Sequence, residues 1–325
     1  MKDKKKNIVI NNIKAFCIFS VICAHTTSGS FFTNRLLQII GICGVPCFFF
    51  LSGYLFSNHN KYTFKQFMKK KIIRIVTPWV MVGSITYIIN SLSGSEKEKF
   101  MFLNWIKYLI GYHSHLYYLT ILFIFYLIFW KKCKIVDGIK KMSLLISLLY
   151  VIYIEFIGLN NLKIYPYLNP LFWIVFFSLG IKFKEKIKEN LYLLSKLNKL
   201  SWIINLFCVF MCLVIWNFGN SFISYFSIFT FILEILVVLI SMSLISKNKY
   251  LKLNIFSEIG EKTLFIYLTH IVVIGLFNYI LSFNTILDML KPIIVFILYG
   301  IIITFLNKIC RKYKKINNIF KLFGF

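Results

Sequence analysis

The stretch NNIKAFCIFSVICAHTTSGS, residues 11–30, decides how the whole chain is read. It is oily enough to cross a bilayer as a helix, yet Lys14 sits near one end and His25 near the other. Eleven residues at about 100° each close three turns with about 20° to spare. The two side chains therefore share one helix face, about 16 Å apart along the axis. Asn11, Ile18, Val21 and Ile22 lie on or near that face. An ionisable side chain inside a membrane helix is costly unless it faces a bundle interior or a watery cavity, so both residues are functional candidates. The plainer alternatives are that Lys14 snorkels to the inner surface and that His25 is a satisfied imidazole near the outer one.

Composition extends this reading from one helix to the chain. The 325 residues are 59% hydrophobic and 15% charged, against about 45–50% apolar and about 25% charged in soluble domains. Apolar runs long enough to cross a hydrocarbon core of about 30 Å recur along the whole length. Strand-like alternation is missing, which argues against a barrel. The expected fold is all-α: one integral-membrane domain over residues 1–325, a polytopic bundle of about ten transmembrane helices. The expected spans are residues 7–28, 36–56, 72–92, 114–130, 142–160, 167–183, 201–217, 222–245, 262–283 and 290–308. Asn11, Asn12 and Lys14 interrupt the first apolar run and no clean small-x-small site ends it. It is read as a retained span rather than a cleaved signal peptide.

The net charge of +27 raises the question of nucleic acid. Its placement points elsewhere. With the N-terminus inside, thirty of the 38 Lys and Arg residues fall in cytoplasmic segments and six in external ones, with Lys14 and Arg74 inside spans. That is a positive-inside pattern, which puts both termini in the cytoplasm. The basic charge is thus assigned to topology and anionic lipid, and no nucleic-acid partner is expected. Residues 101–113, MFLNWIKYLIGYH, are too short and too broken by Asn104 and Lys107 to cross, and suit an interfacial or re-entrant helix with Trp105 and Tyr112 at headgroup level. Residues 182–199 read as a basic amphipathic helix on the inner leaflet. Pro46 and Pro78 are expected to kink the second and third spans. The cysteines, including Cys43 and Cys47 one turn apart, carry no metal signature and read as free thiols.

Two motifs flank the first span. GVPCFFFLSGYLF (44–56) sets three phenylalanines before Ser52, Gly53 and Tyr54 at the inner end of the second span. FKQFMKKKIIRIVTPW (64–79) gathers Lys69, Lys70, Lys71 and Arg74 at the mouth of the third. Positive-inside anchoring explains such cations. The functional alternative is a mouth for a polyanion such as the phosphates of coenzyme A.

Lys14-x10-His25, FFFLSGYLF, RIVTPW, then SHLYYLTILFIFYL (114–127) and IGEKTLFIYLTH (259–270), in that order, make the chain resemble the membrane acyltransferase-3 family. The resemblance covers nearly the whole chain. It implies a membrane O-acyltransferase of about ten core helices that moves an acyl group, commonly acetyl, from cytoplasmic acyl-CoA to a hydroxyl of an extracytoplasmic sugar. His25 matches the family's essential histidine. Lys14 stands where many members carry arginine, which keeps the charge and loses the planar fork. Asn11 stands where an acid often precedes that cation.

The resulting expectations are specific. His25 acts as general base on the acceptor hydroxyl, and Lys14 holds the donor or stabilises an oxyanion. Glu155 and Glu234 are the acids well inside spans; Glu155, nearer the outer side, is expected to orient His25. Ser52, Tyr54, Lys69, Lys70, Lys71 and Arg74 are expected to bind acetyl-CoA or another acyl-CoA. His115 and Tyr118, with His113 and Tyr117 beside them, are expected at the acceptor site, although an aromatic belt also explains the tyrosines. His270 is assigned to packing and His59 to a loop. No metal is expected, since the scatter of His25, His113 and His115 defines no ligand geometry. The implied acceptor is a capsule-like surface polysaccharide or its lipid-linked unit, and the implied location is a bacterial inner membrane. Two alternatives stay open. One is a transporter of saccharide, lipid or amino acid with Lys14, His25, Glu155 and Glu234 as a relay. The other is a structural or sensory bundle whose polar residues only pack helices.

Overall fold

The helix that carries Lys14 and His25 runs unbroken from Lys2 to His25 (α1). The computed structural model describes residues 2–26, 31–56, 62–92, 101–112, 114–130, 133–158, 162, 165–185, 226–247, 254–280 and 289–325. The expected span 201–217, most of the amphipathic stretch 182–199, His59 and His113 lie outside the described residues.

After α1 come α2 (Phe31–Ile42), α3 (Gly44–Phe56), α4 (Phe64–Lys71), α5 (Thr77–Leu92), α6 (Phe102–Ile110) and α7 (Tyr117–Trp130). Then follow α8 (Lys134–Ile157), α9 (Pro170–Glu185), α10 (Ile228–Lys247), α11 (Asn254–Glu261), α12 (Thr263–Ile280), α13 (Lys291–Lys312) and α14 (Lys314–Lys321). No strand occurs among the described residues. Among the described residues, five helical stretches are long and apolar enough to cross a membrane: Ile8–His25, Thr33–Phe56, Phe64–Leu92, Ile228–Ile245 and Lys291–Lys312. The protein is thus a multi-pass, all-α membrane protein. Its outer surface agrees. Ile293, Ile297, Ile301 and Phe305, each one turn apart on α13, are all exposed, as a face turned to lipid requires.

Two spans differ in detail from the sequence expectation. The second is two helices, α2 and α3, that meet at Cys43, with Pro46 in the first turn of α3, where its missing N–H costs least. The third begins at Phe64 rather than residue 72. Thr63 Oγ1 accepts from the Gln66 N–H at 3.3 Å and Gln66 Oε1 accepts from the Thr63 N–H at 3.2 Å, a capping box that starts a helix there. The basic run is therefore helical. Pro78 cannot donate to the Arg74 carbonyl four residues back. Just before it the ladder widens into a π-helical turn, Ile72–Val76, and Thr77 Oγ1 donates to Ile72 O at 3.2 Å.

Packing centres on α1, which touches α2, α3, α10, α11, α12 and α13. Ser20 Oγ on α1 donates to the Ile40 carbonyl of α2. Asn11 Nδ2 donates to Glu261 Oε1 at 3.1 Å and to Ser257 Oγ at 3.4 Å, which ties α1 to α11. Backbones also meet where α3 crosses α9. A Cβ on Gly53 would lie 2.0 Å from Phe177 O, and one on Gly180 2.1 Å from Phe50 O. Small residues allow such backbone contact between membrane helices. Phe49, Phe125 and Phe177 fill the space beside it, with Trp173 at a 5.3 Å ring distance from Phe49.

Candidate active site

Two cavities lie along α1. One, of about 470 Å³, is lined by His25, Asn90, His115, Tyr167, Trp173 and Glu234, among others. The other, of about 180 Å³, is lined by Lys14, Ser52, Lys71, Tyr118, Tyr126 and Tyr267, among others. The helical rise separates Lys14 from His25 by about 16 Å, so one straight helix supplies a cation to one chamber and an imidazole to the other. A third cavity, of about 630 Å³, is lined by Lys140, Lys141, Lys182 and Met242 among others, and by no residue of α1.

The His25 chamber is built by local turns as well as helices. Gly111 ends α6 at φ 102°, a conformation that favours glycine, and the backbone of Tyr117 approaches within 2.3 Å of where its Cβ would stand. Ser114 Oγ donates to Tyr108 O at 2.7 Å and accepts from the Leu116 N–H at 3.3 Å. This tight connection holds His115 against the end of α1. From the other side α12 brings His270. The ring centroids of His25 and His270 lie 5.0 Å apart, His115 and His270 4.9 Å, and His25 and His115 6.2 Å. His115 and His270 are buried, whereas His25 is exposed and lines the cavity. Among the described residues no group of three or more His, Cys, Asp or Glu side chains has a geometry that could hold a metal ion.

Tyr267 stands between the chambers. It lines the Lys14 cavity, and its hydroxyl donates to the carbonyl of His115. Its ring lies 5.5 Å from that of His115 and 5.6 Å from that of Tyr118. Tyr118 in turn shares a 3.0 Å hydrogen bond with Ser52. In the Lys14 chamber Lys71 Nζ sits 4.1 Å from the ring centroid of Tyr126, a cation–π contact that draws the ammonium inward.

The structure sorts the expected site residues. His25 and His115 share one cavity; Lys14, Lys71 and Ser52 share the other. Tyr118, expected with the acceptor, lines the Lys14 chamber, while its neighbour Tyr117 lines the His25 chamber, because adjacent helical residues point about 100° apart. Lys69, Lys70 and Arg74 are exposed and do not line the Lys14 chamber; Lys70 Nζ lies over the Tyr62 ring at 3.6 Å. Tyr54 is buried against Phe50 and Phe183, with Lys184 Nζ 4.6 Å from its ring centroid, and does not line that chamber either. Glu155 is a correction. It is exposed, and its Oε1 accepts from the Ile228 N–H at 2.8 Å, so it caps the start of α10 and is not at His25. The acid in the His25 chamber is Glu234.

His270, Tyr267 and Tyr126 were not singled out for the site from sequence. The available signal was a histidine deep in an apolar run, one turn after a tyrosine, in IYLTH (266–270). A family model described as an acyltransferase domain matches residues 7–309. No curated protein and no solved structure matches the chain. The match takes in both chambers and nearly the whole chain, and the protein accordingly belongs to the acyltransferase-3 family of membrane acyltransferases.

Proposed function

We propose that this acyltransferase moves an acyl group, acetyl in the first instance, from acyl-CoA to a hydroxyl of a cell-surface glycan or its lipid-linked unit. The observation that carries the reading is the pair of chambers on α1, one with Lys14 and Lys71, the other with His25, divided by Tyr267. The excess of basic residues at the Lys14 end supports a cytoplasmic donor and a bacterial inner-membrane setting.

In this reading Lys14 and Lys71 meet the anionic donor, and its long pantetheine arm carries the thioester past Tyr118 and Tyr267 toward His25. Charged donors in a water-poor chamber favour phosphate strongly. The acceptor hydroxyl enters the His25 chamber. His25 takes the hydroxyl proton, because an alcohol is too weak an acid to attack unaided near neutral pH. The oxygen adds to the thioester carbonyl, the C–S bond breaks, and the proton passes to the departing CoA thiolate. The products are an acyl ester and free CoA.

The test is ester-linked acyl content of the surface glycan in cells that carry His25→Ala or His25→Gln. Glutamine fills space and hydrogen-bonds but accepts no proton at neutral pH. Both variants are expected to reach the membrane at normal levels and to leave the glycan unacylated. Normal acylation by His25→Ala would overturn the reading.

A further inference from the structure

We infer that His270 is the positioning partner of His25, a second imidazole that holds the catalytic ring and accepts its far N–H. The inference rests on the acyl-transfer reading above and goes beyond it, since that reading needs only His25.

The tautomer of His270 follows from its hydrogen bonding to backbone carbonyl oxygen. Nδ1 lies 2.7 Å from the carbonyl oxygen of Tyr267. A carbonyl only accepts, so Nδ1 carries the proton and Nε2 is left with a lone pair. That Nε2 is buried and has no hydrogen-bond partner among the described residues. A buried acceptor without a donor is costly. Two rings that can supply an N–H flank it at nearly equal centroid distances, His115 at 4.9 Å and His25 at 5.0 Å, and of these His25 is the one to which the proton transfer is assigned. Seen from His25, His270 is the closer imidazole, at 5.0 Å against 6.2 Å for His115.

A general base needs one nitrogen free to take a proton and the other held, so that the correct tautomer faces the substrate. In serine hydrolases a carboxylate does the holding. Here neither acid does so. Glu155 caps α10, and Glu234 lines the chamber with one carboxylate oxygen, Oε2, that has no hydrogen-bond partner among the described residues. With His270 in that place, the ring of His25 presents its basic nitrogen to the acceptor and its N–H to His270 Nε2. When His25 takes the hydroxyl proton, the new imidazolium is stabilised by that lone pair. When the CoA thiolate takes that proton from His25, the ring is neutral again. The titratable groups around the pair are Tyr108 from α6, His115 and Tyr117 at the start of α7, Tyr167, Glu234 from α10, and Tyr267 from α12. Protonating His270 Nε2 removes the acceptor, so activity falls on the acid side through the pair rather than through His25 alone.

The test uses inverted membrane vesicles from producing cells, which hold the native acceptor, supplied with radiolabelled acetyl-CoA. His270→Gln keeps an acceptor oxygen near the Nε2 position, and His270→Phe keeps volume without one. His270→Phe is expected to lose about 100-fold in kcat with an unchanged KM for acetyl-CoA, while His270→Gln retains at least about a tenth of wild-type kcat. His270→Ala is expected to regain activity with added imidazole, with an acid limb that follows the added base. Equal kcat for the Gln and Phe variants at equal membrane levels, or no response of His270→Ala to imidazole, overturns the inference. Absence of acyl transfer by the wild-type protein fails the functional reading instead. An active wild type, an inactive His25→Ala and a fully active His270→Phe fail the positioning role alone.

Discussion

The α3–α9 crossing offers the sharpest structural prediction, because backbone meets backbone there. In Gly180→Ala the new Cβ would stand 2.1 Å from Phe50 O and 2.6 Å from the Tyr54 amide nitrogen. Neither atom is the end of a flexible side chain; both belong to a helix. The helices must separate by about 1 Å, and a gap of that size forfeits a quarter to a half of each dispersion contact across it. Phe49, Phe50 and Phe177 are fully buried beside the crossing, so the cost should resemble overpacking, about 1–3 kcal/mol. Gly53→Ala should behave alike, since its Cβ would stand 2.0 Å from Phe177 O. It should also strain the 3.0 Å bond between the adjacent Ser52 and Tyr118 and so lower activity. The double variant should cost less than the sum, because one separation serves both. Thermal unfolding in detergent, followed by tryptophan fluorescence, measures the effect; Trp173 reports directly beside Phe49. A midpoint lower by roughly 5 °C is expected for either single variant. Gly138→Ala and Gly275→Ala are the controls, with nothing within 4 Å of the added carbon. In a helix they should be neutral or more stable by up to about 1 kcal/mol. A Gly180→Ala protein as stable as wild type, or controls that fall equally, would refute the reasoning.

Three further outcomes are expected. Lys71→Ala should weaken acetyl-CoA binding about 10-fold, while Lys69→Ala, Lys70→Ala and Arg74→Ala change it little; equal losses in an equilibrium binding assay would mean that the whole basic run holds the donor. Glu155→Gln should cost about 1 kcal/mol through a weaker α10 cap and leave glycan acylation intact; unacylated glycan at normal membrane levels would return Glu155 to the chemistry. Cys133 is exposed, whereas Cys17, Cys23, Cys43 and Cys47 are buried. An impermeant maleimide should therefore label Cys133 in inverted vesicles and not in intact cells, and labelling from outside would reverse the topology.

The helical membrane fold and the Lys14–His25 pair were legible in the sequence because both are local. Hydropathy runs need only neighbours along the chain, and a shared helix face needs only the 3.6-residue period. The capping box at Thr63 was equally local, and its Thr-x-x-Gln signature could have placed the start of α4. The family followed from motifs that span the chain in order. What stayed hidden was which distant groups face these residues. Glu155 and Glu234 look alike as lone acids in apolar helices; only packing put one on the N-terminus of α10 and the other in the His25 chamber. In the run from Lys69 to Arg74, helical phase alone cannot say which cation turns inward, and the ring of Tyr126 decides it for Lys71. His270 lies near the far end of the chain from His25, and no period links them. The fold brought them to a 5.0 Å ring distance through α12 packed on α1. Sequence thus determined the medium, the helices and the shared face of Lys14 and His25, since those depend on short-range order. Tertiary structure alone decided the partners, since a buried polar side chain is defined by what surrounds it.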